Sequence, residues 1–222
     1  MRIHEIELAS PNPAAQLEFY AERLDLPRAG DGIQVGETVL RFVQGSPARY
    51  HLAFAIPENQ IEDARRWLQD RAAMLSDEIF DFDFWNAHAV YFEDADGNVL
   101  ELIARHDLAN ATAGTFTSAS LLEANEVGLA VADPPAAVRA LERGLGLPVF
   151  SGDRSAFTAV GGERGLLIVV PSGRTWFPTE RPAVVAPIRV VVAAPRGGEV
   201  RLNDFCTIVG READTAPPEK QS

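Results

Sequence analysis

The chain has 222 residues and a mass of 24.1 kDa, 46% hydrophobic and 23% charged, which suits a globular protein with one large core or two small ones. Thirty-two acidic against 20 basic residues give a net charge of -12, the reverse of what a general phosphate-binding surface needs, so nucleic acid is not an expected partner. No apolar run approaches the roughly 20 residues of a membrane span, the opening MRIHEIELAS is unlike a secretory leader, and the single Cys206 allows neither a disulfide nor a thiolate cluster, so a cytoplasmic compartment is expected.

In chain order, residues 2–9 alternate as a strand does, with Ile6 and Leu8 on the helix side and Glu5, Glu7 and Ala9 opposite. Asn12 as cap and Pro13 in the first helical position open a helix whose apolar side is Leu17, Tyr20, Ala21 and Leu24. Short strands follow around 33–36 and 38–44, and HLAFAI forms a strand over 51–56. Asn59 with Glu62 reads as a capping box, opening a helix with Ile61, Ala64 and Leu68 inward. After the aromatic stretch FDFDFW, AVYFED and NVLELIA make two strands around a turn at Ala95-Asp96-Gly97-Asn98.

The pattern then repeats. At an offset of 121 residues Glu5 falls on Glu126, and EIELASPNPAAQLEFYAERLDLP lies beside EVGLAVADPPAAVRALERGLGLP without a gap. The chain reads as two related halves, 1–110 and 120–212, joined by the small, polar ANATAGTFTSAS (109–120) and followed by a disordered tail at 213–222. Each half holds two units of strand, helix and strands. The fourth is cut short, since little room for a helix remains between Pro195 and Leu202.

The strings EFYAERLDLP, HLAFAI and VYFEDADGNVLELIA resemble the vicinal oxygen chelate superfamily, which includes glyoxalase I, bleomycin-resistance proteins and extradiol dioxygenases. The resemblance implies an α+β fold of four βαβββ-type modules, the fourth degraded, in two glyoxalase/dioxygenase-like halves with a cupped mixed sheet. It also implies a divalent metal held at strand starts and ends, and a homodimer is compatible with it, because members often exchange modules between subunits.

Carried over by position, the resemblance puts metal-ligand slots at Glu5 (beside His4), Arg41, His51 and Glu101. Alternation agrees, leaving His51, Ala53 and Ala55 in the cup. Glu5, His51 and Glu101 are the expected ligands, one imidazole and two carboxylates, a set accepted by Fe, Mn, Ni or Zn. Arg41 either pairs with an anionic group of the substrate or neutralises Glu5 or Glu101. The matching slots of the second half, Glu126, Leu167, Arg189 and Thr207, set one carboxylate against a guanidinium, so the first half is expected to carry the site. Tyr91, in Y-x-x-D-x-x-G-x-x-x-E, is similar to the closing part of the extradiol dioxygenase signature, with Ala95 where that signature has proline. This implies Tyr91 as the catalytic proton partner, with Trp85, Asn86 and His88 as substrate-binding neighbours. Trp176 and Phe177 would cover the cup or pack between halves, and His106 reads as a surface residue.

The expected function is a metal-dependent lyase or an extradiol-dioxygenase-like enzyme acting on a small molecule with vicinal oxygens. The alternative is a metal-free protein that binds or sequesters a small molecule, stacking it on the aromatics around Phe80–Trp85 and Trp176.

Overall fold

The computed structural model describes residues 1–212; the expected tail at 213–222 lies outside the described residues. The first module runs β1 (Ile3–Ser10), α1 (Pro13–Glu18, prolonged by a π turn over Phe19–Arg23), β2 (Arg28–Ala29), β3 (Gly32–Val35) and β4 (Thr38–Gln44). The second runs β5 (His51–Ile56), α2 (Ile61–Gln69), β6 (Ala73–Met74), β7 (Phe80–Phe82), β8 (Ala87–Glu93) and β9 (Val99–Arg105). The third runs β10 (Glu123–Val131), α3 (Pro134–Leu145), β11 (Val149–Gly152), β12 (Thr158–Gly162) and β13 (Gly165–Pro171). The fourth keeps only β14 (Ile188–Ala194), β15 (Gly198–Arg201) and β16 (Cys206–Glu212). The fold is α+β, and none of the described helices is long and apolar enough to cross a membrane.

Local signals set most of these elements. Asn12 Oδ1 accepts the Ala15 N–H at 3.2 Å and starts α1, and Asp133 does the same for Ala136 at the head of α3, at 2.9 Å. The Asp94–Asn98 turn is tied by Asp94 Oδ1, which accepts the N–H groups of Asp96 and Asn98, both at 3.0 Å. Gly97 supplies the positive φ of 72° that the turn requires. At α2 the outcome differs from the capping-box reading. Gln60 is the cap residue, without a side-chain cap bond, and the Asn59 amide is drawn instead to Thr112 of the connecting segment, bonding its N–H and its carbonyl.

The repeat is visible in the topology. β1 lies parallel to β4 with β3 antiparallel beyond it, and β10, β13 and β12 stand in the same relation. Glu5 faces Val39 in one copy and Glu126 faces Leu166 in the other. Both leading strands carry a bulge one residue before the glutamate, at His4 and at Asn125. The bulge breaks strict alternation, so Ile3 and Ile6 are both buried in the core while the glutamate turns to the other face.

How the modules pair differs from the order of the sequence. β1 joins β14 antiparallel and β10 joins β5 antiparallel. The result is a seven-stranded sheet, β15-β16-β14-β1-β4-β3-β2, and a nine-stranded one, β11-β12-β13-β10-β5-β9-β8-β6 with β7 on β8. The first module thus shares a sheet with the fourth, and the second with the third. Each sheet draws strands from both 1–110 and 120–212, so those sequence halves are not the units of the fold. The larger core lies on the helix side, where Ile6, Leu8, Leu52, Phe54 and Ile56 pack with Tyr20 and Leu24.

Candidate metal centre and substrate cavity

The nine-stranded sheet brings four side chains into one row on the face away from the larger core. Glu126 of β10 pairs with Ala53 of β5, Ala53 with Glu101 of β9, and Glu101 with Tyr91 of β8. Neighbouring strands are about 4.8 Å apart, so Glu126 and Glu101 start about 10 Å from each other. Only the Ala53 methyl stands between them, and the two carboxylates close over it. His51, two residues before Ala53, joins from the same face. One ligand atom from each of His51, Glu101 and Glu126 lies within 4.8 Å of the others, and all three residues are buried.

Each of the three is oriented. His51 Nδ1 lies 3.1 Å from the Val99 carbonyl. An N–H on Nδ1 donates to it and leaves Nε2 facing Glu101 at 3.6 Å and Glu126 at 3.9 Å. Glu126 gives one oxygen to the Arg105 guanidinium and turns the other to His51. Arg105 is itself buried, donates from Nε to Asn125 Oδ1 at 2.6 Å, and lies 5.0 Å from the Trp85 ring centre. Burial, and then the nearby Glu126 charge, push the Glu101 carboxyl up to about 7. Burial opposes the charged form of His51, but the bond to Glu126 and the Glu101 charge outweigh it and raise its pKa. Burial and the same two carboxylates hold the Tyr91 phenol well above its ordinary value, so it is neutral at pH 7.

Around this centre lies a cavity of about 470 Å³, within the range of small-ligand sites. Its walls include Phe82, Trp85, Tyr91, Phe157, Trp176 and Phe177. Trp176 is buried with its ring 5.2 Å from the His51 imidazole, and Phe177 stands against Phe80 and Tyr91. The indole can reach His51 because the next position on that face of β10 is Gly128. A Cβ there would stand 2.5 Å from Trp176 Cη2 and 3.1 Å from His51 Cβ. Gly128→Ala is therefore expected to cost about 1–3 kcal/mol in urea unfolding and to displace Trp176. An unchanged midpoint would show that the cover is not seated against β10.

The expected site residues divide. His51 and Glu101 come together, and Tyr91 and Trp85 line the cavity beside them. Glu5 does not join them. It lies on the seven-stranded sheet between Arg41 (Nε–Oε2 3.3 Å) and Arg189 (Nη1–Oε1 3.2 Å), and Glu126 takes the third place. Arg41 pairs with Glu5 and Asp31, away from the cavity. Asn86 bonds Asp107 at 2.8 Å, and His88 turns to the opposite face, where its Nδ1 meets His106 Nε2 at 2.7 Å. Alternation along β8 explains this, since His88 and Tyr91 are three residues apart. Glu126 has the same strand position as Glu5, and along the sequence its half sets it against Arg189. In space its neighbour is His51. Arg105 and Arg174 carry no local sequence signal.

No protein-family model and no curated protein matches the chain. Solved structures do. A Bacillus subtilis protein described as a candidate dioxygenase superposes with a TM-score of 0.59 at 14% identity, covering 95% of this chain and 85% of its own. A point mutant of glyoxalase I from Zea mays gives 0.57 at 13% identity, over 94% of this chain and 93% of its own. The unsubstituted maize glyoxalase I gives 0.54 at 14% identity, over 86% and 74%. At these identities the likeness concerns the fold. This chain has the fold of the vicinal oxygen chelate superfamily.

Proposed function

We propose that this protein is a metal-dependent enzyme, a lyase or an extradiol-dioxygenase-like catalyst, acting on a small molecule with vicinal oxygens. The observation that carries this reading is the convergence of His51, Glu101 and Glu126 at a cavity that is otherwise largely aromatic. The donors suit a divalent ion of the Fe, Mn, Ni or Zn group: an imidazole whose free nitrogen is set by the Val99 carbonyl, and two crowded carboxylates. Such an ion would supply Lewis-acid polarisation of two adjacent substrate oxygens.

The chain's own groups do the rest. Arg105 holds Glu126 in place from behind. Tyr91, kept protonated, donates a hydrogen bond to a substrate oxygen and does not act as a base at neutral pH. Trp85, Trp176 and Phe177 keep water from the reacting end of the cavity. In the metal-free alternative Arg41 neutralises Glu5 or Glu101; it does pair with Glu5, but on the other sheet, leaving His51, Glu101 and Glu126 together without it.

Metal analysis by mass spectrometry, on protein purified without chelator or affinity tag, tests the proposal. About one equivalent of a divalent transition metal per chain is expected, with positions left open for substrate. Protein free of such metal, and unable to take it up on titration, would leave a binding function in its place.

A further inference from the structure

Arg174 lines the same cavity. Its Nη1 donates to the Thr175 carbonyl at 3.2 Å and its guanidinium lies 5.3 Å from the centre of the Phe157 ring. Among the described residues it meets no carboxylate. Arg105, the other arginine against the aromatic wall, is by contrast tied to Glu126. Arg174 is also partly buried, with an aromatic face behind it, so its charge is less quenched by water than that of a surface arginine. The carboxylates of Glu101 and Glu126 belong to the metal centre, and Asp83 is exposed at the rim. A planar fork of donors left open on an aromatic wall matches a carboxylate or a similar oxyanion.

We propose that Arg174 binds an anionic substituent of the substrate. The substrate class is then a small aromatic acid, its ring held among Phe82, Trp85, Phe157 and Trp176 and its adjacent oxygens directed to the metal centre. This rests on the function proposed above for the metal centre. The anion site itself depends only on Arg174 and the aromatic wall.

Trp85 and Trp176 line the cavity and report binding by fluorescence. Zn²⁺-loaded protein is titrated with catechol, 3,4-dihydroxybenzoate and benzoate, before and after chelation, for the wild type, Arg174→Gln and Arg174→Lys. The wild type is expected to bind 3,4-dihydroxybenzoate about ten- to a hundredfold more tightly than catechol. Arg174→Gln should bind catechol as the wild type does and lose that preference, while Arg174→Lys keeps part of it. Equal wild-type affinity for the two catechols, or a preference that survives Arg174→Gln, overturns the assignment. A preference that follows Arg174 while chelation changes no affinity supports the anion site and overturns the metal-centre reading instead.

Discussion

Glu126→Ala is expected to abolish the proposed stoichiometric binding of Zn²⁺ or Mn²⁺ in calorimetric titration, and Glu5→Ala to leave it intact. Glu126 presents its free oxygen to His51 Nε2 and Glu101, so its loss should exceed the ten- to hundredfold typical of groups behind the ligands. Glu5 faces Arg41 and Arg189 on the other sheet, and these partly exposed pairs contribute less than about 1 kcal/mol each. Retention by Glu126→Ala, or equal loss in Glu5→Ala, would place the centre elsewhere.

The same centre has a pH signature. Burial and the Glu126 charge hold the Glu101 carboxyl at about 7, above its ordinary 4.5. The folded state therefore keeps a proton that the unfolded chain releases. The stability this contributes is complete below about pH 4.5 and is lost as pH rises through about 7. An ion bound as proposed would take over from that proton, and His51 would likewise have to give up its own to ligate. The increase in Tm on adding Zn²⁺ should be small near pH 5 and grow toward pH 8. A constant increment across this range would remove Glu101 from the ligand set.

Arg105→Met is expected to lower folding stability by about 3–5 kcal/mol, the cost of leaving a buried charge without its partner. The guanidinium is almost fully buried, bonded to Asn125 and Glu126, with Glu163 3.6 Å from Nη1. Methionine fills similar space and stacks on Trp85, but Glu126 and Asn125 lose their donor. Adding Glu126→Gln to Arg105→Met should restore part of the stability, because no carboxylate then remains unpaired. Denaturant melts of the single and double variants measure both effects. A loss below about 1 kcal/mol in the single variant would mean that water reaches Glu126 and that Arg105 does not hold it.

The elements of this fold were legible because their causes are local. HLAFAI is the strand His51–Ile56, and AVYFED and NVLELIA are the two strands joined by the turn before Val99, which sets Tyr91 opposite Glu101. Alternation also put His51 and Ala53 on one face, which is half of the centre. It also put Ile6 and Leu8 in the core with Glu5 on the other face, a placement that the bulge at His4 preserves. The capping box did not form, because Asn59 bonds a distant Thr112 in place of the helix beside it.

By itself the sequence determined four related units, the two glutamates at equivalent positions, and the His51–Glu101 pair within one module. Glu5 and Glu126 follow the same local pattern, and nothing within either segment ranks one above the other. Tertiary structure decided between them. Because β10, and not β1, lies antiparallel to β5, Glu126 stands across Ala53 from Glu101, while Glu5 stands between two arginines. The same pairing carries Arg105 behind Glu126 and folds Trp176 over Gly128. Strand pairing depends on which apolar faces bury each other across long loops, a property of the whole chain that no short segment encodes.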